Sequence, residues 1–250
     1  MFVRQTKHQQ SNSDELYQYE SENAWSLISS IRFDKNDVKT FEDYIQGFDI
    51  SSCIISSTSV IPEWLPNLLK AHRINDIHIF DSTTPLPITN RYHTPSTLGT
   101  DRLASVIGGY YISGKKNPVL CIDCGTAITY DFINSRGEYL GGNISPGLDL
   151  RFRSLHDYTG RLPLVNINGQ TPELGDSTHT AIRSGVKIGI INEINGYIDK
   201  YQEKFPNIYI YFTGGNSLDF EYPSKKRIFA ERNLVLIGLN IILAYIKSKQ

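Results

Sequence analysis

Asp123-Cys124-Gly125-Thr126, followed by Thr129, is a set of residue types at a spacing that can hold phosphate. Gly125 lets a ligand approach the backbone with no Cβ in the way. Thr126 and Thr129 offer hydroxyls, and Asp123 can carry a cation or its bound water. The same residues also make an ordinary polar hairpin with an Asp at a strand end, because Asp-x-Gly-Thr is a short pattern. A second group is Gly99-Thr100-Asp101-Arg102. The apolar spacing after Asp101 is helical, which puts this group at a helix N-terminus, where free N–H groups and the dipole favour an anion. Asp101 would serve there equally as an N-cap. Arg102, however, opposes the dipole of a first helical turn unless it binds something. A third group, Thr213-Gly214-Gly215-Asn216, is a glycine turn that lets a flat ring or a phosphate lie against backbone.

The elements that must position these groups follow from the pattern. Val119 to Ile122 is an apolar run entering Asp123, and Ile128 to Ile133 alternates, so the stretch reads strand, tight turn, strand. A third strand is expected over Gly137–Ile144 and a helix over Asp149–Tyr158. Thr178–Phe205 reads as a long helix with Ala181, Ile182, Val186, Ile190 and Ile194 near one face, and Gly185 and Gly189 on it suggest close packing. Ile208–Phe212 reads as the strand that delivers the glycine turn, and Asn233–Lys247 as an apolar closing helix. Upstream, a helix is expected over Ala24–Ile31, then one over Val38–Gln46, a strand over Ser51–Thr58, a helix opened by Pro62 and running to Ala71, and a strand over Asp76–Phe80. Residues 1–22 are mostly polar, with strand-like Met1-Phe2-Val3 and Leu16–Glu20, and resemble the tip of a hairpin whose first arm is missing. The alternation of strands and helices argues for an α/β protein, with the polar linker Ser113–Pro118 between two units, 1–115 and 116–250.

Composition bounds the reading. The chain has 250 residues, of which 40% are hydrophobic and 20% charged, which suits a globular protein with one large or two smaller cores. With 25 basic and 26 acidic residues, no overall field recruits nucleic acid or an anionic membrane. No apolar run reaches the roughly 18 residues of a membrane helix, and residues 1–20 lack the apolar stretch of a signal peptide, so a cytoplasmic location is expected. Cys121 and Cys124 have C-x-x-C spacing but flank an Asp and lack a second pair, which argues for reduced packing residues rather than a zinc site.

Five segments together resemble a known family. Leu98-Gly99-Thr100-Asp101-Arg102, Asp123 to Asp131, Tyr139 to Gly147, Thr178-x-x-Ala181-Ile182-x-Ser184-Gly185 and Thr213-Gly214-Gly215 stand in the order and rough spacing of type III pantothenate kinases. The resemblance covers about Ser51 to the C-terminus. It implies two actin-like (ribonuclease H-like) domains with a cleft between them, and ATP-dependent phosphorylation of pantothenate to 4′-phosphopantothenate, the first step toward coenzyme A. It also implies a homodimer that uses Mg²⁺ and a monovalent cation, K⁺ or NH₄⁺. By resemblance, Asp101 is the general base for the pantothenate hydroxyl, and Arg102 holds the anionic substrate or the transferring phosphoryl group. Tyr92, Gly99, Thr100 and Thr178 match substrate contacts, Thr178 across the dimer interface. Gly125 and Thr126 match the second phosphate loop, Thr213, Gly214 and Gly215 the adenosine side, and Asp123 the monovalent-cation ligand.

The chain also departs from the family. Family members open with a strand and a first phosphate loop, Asp-x-Gly-Asn-Thr-x-x-Lys, and no such motif occurs here; the first Asp is Asp14. The first domain is therefore expected to lack its opening strand, a deficit of roughly fifteen to twenty residues. Two explanations compete: a short start to an ordinary kinase, or a relative that binds pantothenate, in a regulatory or catalytically weak role. A phosphatase of polyphosphate or guanosine phosphates, from elsewhere in the superfamily, would need a second carboxylate placed to activate water. A smaller departure lies in Tyr92-His93-Thr94-Pro95, where the family usually has Asn before that Pro.

Overall fold

The computed structural model describes residues 2–5, 29–31, 34, 37–215 and 227–250. The first sheet, of order β1-β2-β3, is formed by β1 (Phe2–Gln5), β2 (Ile50–Ser56) and β3 (Asp76–Phe80), with β1 antiparallel and β3 parallel to β2. The second has order β4-β7-β6-β5-β8-β9: β4 (Thr89–Asn90), β5 (Val119–Cys124), β6 (Ala127–Ile133), β7 (Glu138–Pro146), β8 (Tyr209–Thr213) and β9 (Ile228–Ala230). The helices are α1 (Val38–Gln46), α2 (Trp64–Ala71), α3 (Thr100–Ile112), α4 (Leu148–Asp157), α5 (Thr178–Lys204) and α6 (Leu234–Lys247).

The near-continuous apolar strands are covered on both faces, as such sequences require. In β2, Cys53 and Ile55 pack with α1 and α2, whereas Ile54 packs with α3 and α6. In β5, Val119 and Cys121 join that same α3–α6 cluster, whereas Leu120, Ile122 and Cys124 pack with α4 and α5. The layers therefore run α1/α2, first sheet, α3/α6, second sheet, α4/α5. The middle cluster draws Ile54 and Phe80 together with Val119, Tyr211 and Leu243, so its core joins residues on both sides of the 113–118 linker. An ion pair from Lys247 Nζ to Asp76 Oδ2, at 2.7 Å, returns the chain's last helix to the first sheet.

Most expected elements are found within two residues of the predicted ends. β7 runs on to Pro146 because Ile144 to Pro146 stay paired with β6, down to Ala127 opposite Pro146. The short strands β4 and β9 carry no periodicity that a sequence could show. Residues 29–31 are not helical, and the rest of the predicted Ala24–Ile31 helix, like Leu16–Glu20, lies outside the described residues. Among the described residues the packing predicted at Gly185 and Gly189 is not made: a Cβ at either would meet none of them within 4 Å. Helix α5 instead buries Ile182, Val186, Ile190, Ile194 and Ile198 against the second sheet. The three cysteines are free and buried, in accord with packing roles.

Candidate functional site

Strand periodicity decides which side chains meet. Val119 and Cys121 face α3, so Asp123, two residues on, continues that face at the strand end. In β6 the α3 side holds Ile133, and with it Asp131 and Thr129, while Phe132, Tyr130 and Ile128 face α5. The ladder sets Cys121, Asp131 and Gly142 in one row and Asp123, Thr129 and Ile144 in the next. Helix α3 points its first turn at these rows, and a hydrogen bond of 2.8 Å between the Thr100 and Ser56 hydroxyls fixes that turn to the end of β2.

Arg102 explains its own place in the first turn. Its Nε donates to both Asp131 oxygens, at 3.0 and 3.1 Å, and its second amino group donates to Oδ1 at 2.7 Å. Both side chains are buried, Asp131 completely. The Tyr139 hydroxyl donates to the same Oδ1 at 2.7 Å. Burial alone would lower the guanidinium pKa, but the bonds to Asp131 more than offset it and the net shift is upward. The Tyr92 ring lies 5.8 Å from the guanidinium carbon and 6.0 Å from the Tyr139 ring. Arg102 is thus already charge-paired, and a ligand would meet it as a polar edge rather than as an uncompensated cation.

The paired glycines Gly141-Gly142 are a notch cut for this group. A Cβ on Gly142 would stand 2.5 Å from Asp131 Oδ1 and 2.9 Å from the Tyr130 carbonyl carbon; at Gly141 a Cβ would only touch the Tyr92 ring, at 3.5 Å, and the requirement for glycine there is the φ of +115. Gly142→Ala is expected to cost about 1–3 kcal/mol by overpacking, read as a lower denaturant midpoint at unchanged slope. An unaltered midpoint would show that β7 has room there.

Asp101 is not the N-cap. Gly99 holds that position, and Asp101 sits within the first turn, half-buried, its Oδ1 accepting from the Arg102 N–H at 2.9 Å. A Cβ on Gly99 would crowd that carboxylate at 2.5 Å, so glycine leaves it space. Asp123 is mostly buried; burial pushes its pKa up to about 6, and the charges of Asp101 and Asp131 add to the rise. Three carboxylates therefore share one neighbourhood, with Arg102 balancing one of them. Among the described residues no cationic side chain pairs with Asp123. Asp123, opposite Thr129 in the ladder and beside turn backbone, offers oxygen of the kind a hard cation takes, while among the described residues no group of three or more His, Cys, Asp or Glu could hold a metal ion by itself.

The two glycine turns flank Asp123. Gly125 closes the β5–β6 turn, its N–H donating to the Ala127 carbonyl at 3.0 Å, and leaves the Thr126 side chain exposed. A Cβ on Gly214 would stand 2.7 Å from the Cys124 backbone and collide with Asp123. Thr213 lies opposite Asp123 in the ladder, but its side chain is buried and its hydroxyl reaches the Arg232 carbonyl at 3.4 Å, so among the described residues of that turn it is Gly214 and Gly215 that reach the surface. Tyr92, Gly99, Thr100, Asp101, Arg102, Asp123, Gly125 and Gly214 are thus brought together. Thr178 is exposed at the start of α5, capped by Ser177, and among the described residues it hydrogen-bonds none of the others. Asp131 and Tyr139 had no role in the sequence reading. The signal was there: a carboxylate inside an otherwise apolar strand must find a partner.

Comparison with known proteins bears on the family. A family model described as type III pantothenate kinase matches residues 19–200. A type III pantothenate kinase of Bacteroides fragilis is 46% identical over 221 residues, covering 88% of this chain and 90% of that protein. One from Flavobacterium johnsoniae is 38% identical over 222 residues, covering 88% and 90%. Among solved structures, a Campylobacter jejuni protein described as a Baf family transcriptional activator superposes with a TM-score of 0.52 at 21% identity, over 84% of this chain and 89% of that one, a likeness of fold alone. Among the described residues no helix is long and apolar enough to cross a membrane.

Proposed function

This chain belongs to the type III pantothenate kinase family, and from that membership we infer how its cleft carries out ATP-dependent phosphorylation of pantothenate to 4′-phosphopantothenate, the first step of coenzyme A biosynthesis. The observation that carries the assignment is identity of 38–46% over nearly nine-tenths of the chain; the one that carries the site is the meeting of Asp101, Asp123 and Arg102 at the first turn of α3.

In this reading, the protein is two actin-like halves, 1–115 and 116–250, with the first sheet in the first half and the second sheet in the second half except for its edge strand β4, and with the substrates between them. Asp101 accepts the proton of the pantothenate primary hydroxyl as the hydroxyl attacks the γ-phosphorus of ATP. Phosphoryl transfer asks the protein mostly for alignment and charge balance, so a half-buried carboxylate beside helix N–H groups suffices. The free edge of Arg102, backed by Asp131, orients pantothenate together with Tyr92, Gly99 and Thr100. The Gly125-Thr126 turn takes the phosphates, and Gly214-Gly215 lies along the adenosine side. Bound with ATP, Mg²⁺ would neutralise part of the phosphate charge, and Asp123 would hold K⁺ or NH₄⁺. Thr178 serves the partner subunit's site in a homodimer. Exposed Tyr158, Leu164 and Leu174, and the open glycine side of α5, support such a dimer.

The test is ADP release on adding pantothenate to the purified chain with ATP, Mg²⁺ and K⁺, beside the same chain with an appended Asp-x-Gly-Asn-Thr strand pair. Pantothenate-dependent turnover is expected. Binding of pantothenate without turnover in either protein would favour a binding or regulatory role instead. Asp123→Ala is expected to remove the stimulation of turnover by K⁺; undiminished stimulation would move the cation site elsewhere.

A further inference from the structure

The α5 side of the second sheet carries a polar cluster that the reaction scheme leaves unused. Glu193, on α5, accepts from the Tyr130 hydroxyl of β6 at 2.8 Å, from the Ser145 hydroxyl of β7 at 2.5 Å, and from an Arg151 amino group of α4 at 2.5 Å. Arg151 also donates from Nε to the Pro146 carbonyl at 2.7 Å. The side chains of Arg151 and Glu193 are 20% and 26% exposed, so little water competes for these bonds. One carboxylate therefore fixes three secondary-structure elements at the point where β7 ends. The Tyr130 ring is also stacked on Tyr197 of the same helix, with centroids 3.9 Å apart, which leaves β6 little freedom to shift against α5.

What that strand end supports is the Gly125-Thr126 turn. The Gly147 N–H donates to the Thr126 carbonyl at 2.9 Å. The contact is so close that a Cβ on Gly147 would stand 2.8 Å from the Thr126 carbonyl carbon and collide with the carbonyl oxygens of Gly125 and Thr126. The path from Glu193 through Arg151 and Ser145 to Pro146-Gly147, and on to Thr126, is unbroken. We propose that Glu193 is a positioning residue for ATP: by clamping Ser145 to Gly147 it holds the Gly125-Thr126 turn at the height at which the turn meets the phosphates. Pantothenate, met on the opposite, α3-facing side of the sheet by Arg102 and Tyr92, does not depend on the clamp. This rests on the proposed role of the Gly125-Thr126 turn.

The experiment is steady-state kinetics in both substrates for Glu193→Gln, Ser145→Ala and Thr126→Val, with melting temperatures measured alongside. Glu193→Gln is expected to raise the KM for ATP about tenfold, the factor that goes with losing one charge-assisted hydrogen bond. The KM for pantothenate should hold within about twofold, since no link of the clamp touches that side. Ser145→Ala, a milder cut in the same path, should move the KM for ATP in the same direction by less, and it answers the question if Glu193→Gln does not fold. A lowered melting temperature with both KM values unchanged makes the cluster purely structural and overturns the proposal, as does an equal rise in both KM values. Thr126→Val separates the two readings: if it leaves the KM for ATP unchanged, the phosphate-turn assignment itself fails. If it raises the KM while Glu193→Gln and Ser145→Ala do not, only the clamp fails.

Discussion

Asp101→Asn should lower kcat by about 10²- to 10⁴-fold, the range that a positioned general base contributes, with the KM for ATP close to that of the unaltered protein. Asparagine keeps the size and can still hydrogen-bond the pantothenate hydroxyl, so substrate is held while its proton has nowhere to go. The Arg102 N–H, which donates to Asp101 Oδ1, finds the amide oxygen in its place, so the first turn of α3 stays intact. Asp101→Ala removes orientation as well and should also raise the KM for pantothenate. Because phosphoryl transfer depends chiefly on alignment and charge, the loss in Asp101→Asn belongs toward the lower end of the range. Near-full turnover in both variants would take the catalytic role away from Asp101.

Arg102→Met is the second large effect, and it falls on stability as much as on activity. Among the described residues it leaves the fully buried Asp131 carboxylate with the Tyr139 hydroxyl as its one remaining hydrogen-bond donor, and breaking a buried pair in this way costs about 3–5 kcal/mol. In a chain of this size that lowers the melting temperature by roughly 10 °C. Removing both charges, as Arg102→Met with Asp131→Leu, should recover a large part of the stability, because the uncompensated charge is gone. Turnover should not recover, since no guanidinium remains for pantothenate. A double variant as unstable as the single one would mean that packing of the arginine stem, not charge, is what holds α3 to the sheet. Recovered turnover would remove Arg102 from the substrate site.

The elements and their order are legible from local pattern. Such pattern is enough for Val38–Gln46 and Asp76–Phe80, which the structure reproduces residue for residue, because hydrophobic period and capping act within a few residues. The candidate groups are legible too, because glycines and carboxylates at turns are visible one residue at a time. Their assembly is a different matter. Which face of β6 carries Asp131 depends on the register with β5 and β7, set by strands that lie apart in the chain. A first-turn arginine reads as a ligand-binding cation until the fold brings a buried carboxylate against it. Gly141-Gly142 read simply as part of the strand over Gly137–Ile144, and only the approach of Asp131 and the Tyr130 backbone from β6 shows why Gly142 has no room for a side chain. Glu193 lies among ordinary polar residues of a long helix; it becomes a clamp only because β6, β7 and α4 each aim one donor at it. Such roles are decided by contacts between elements distant in sequence, and a single chain of letters does not contain those distances.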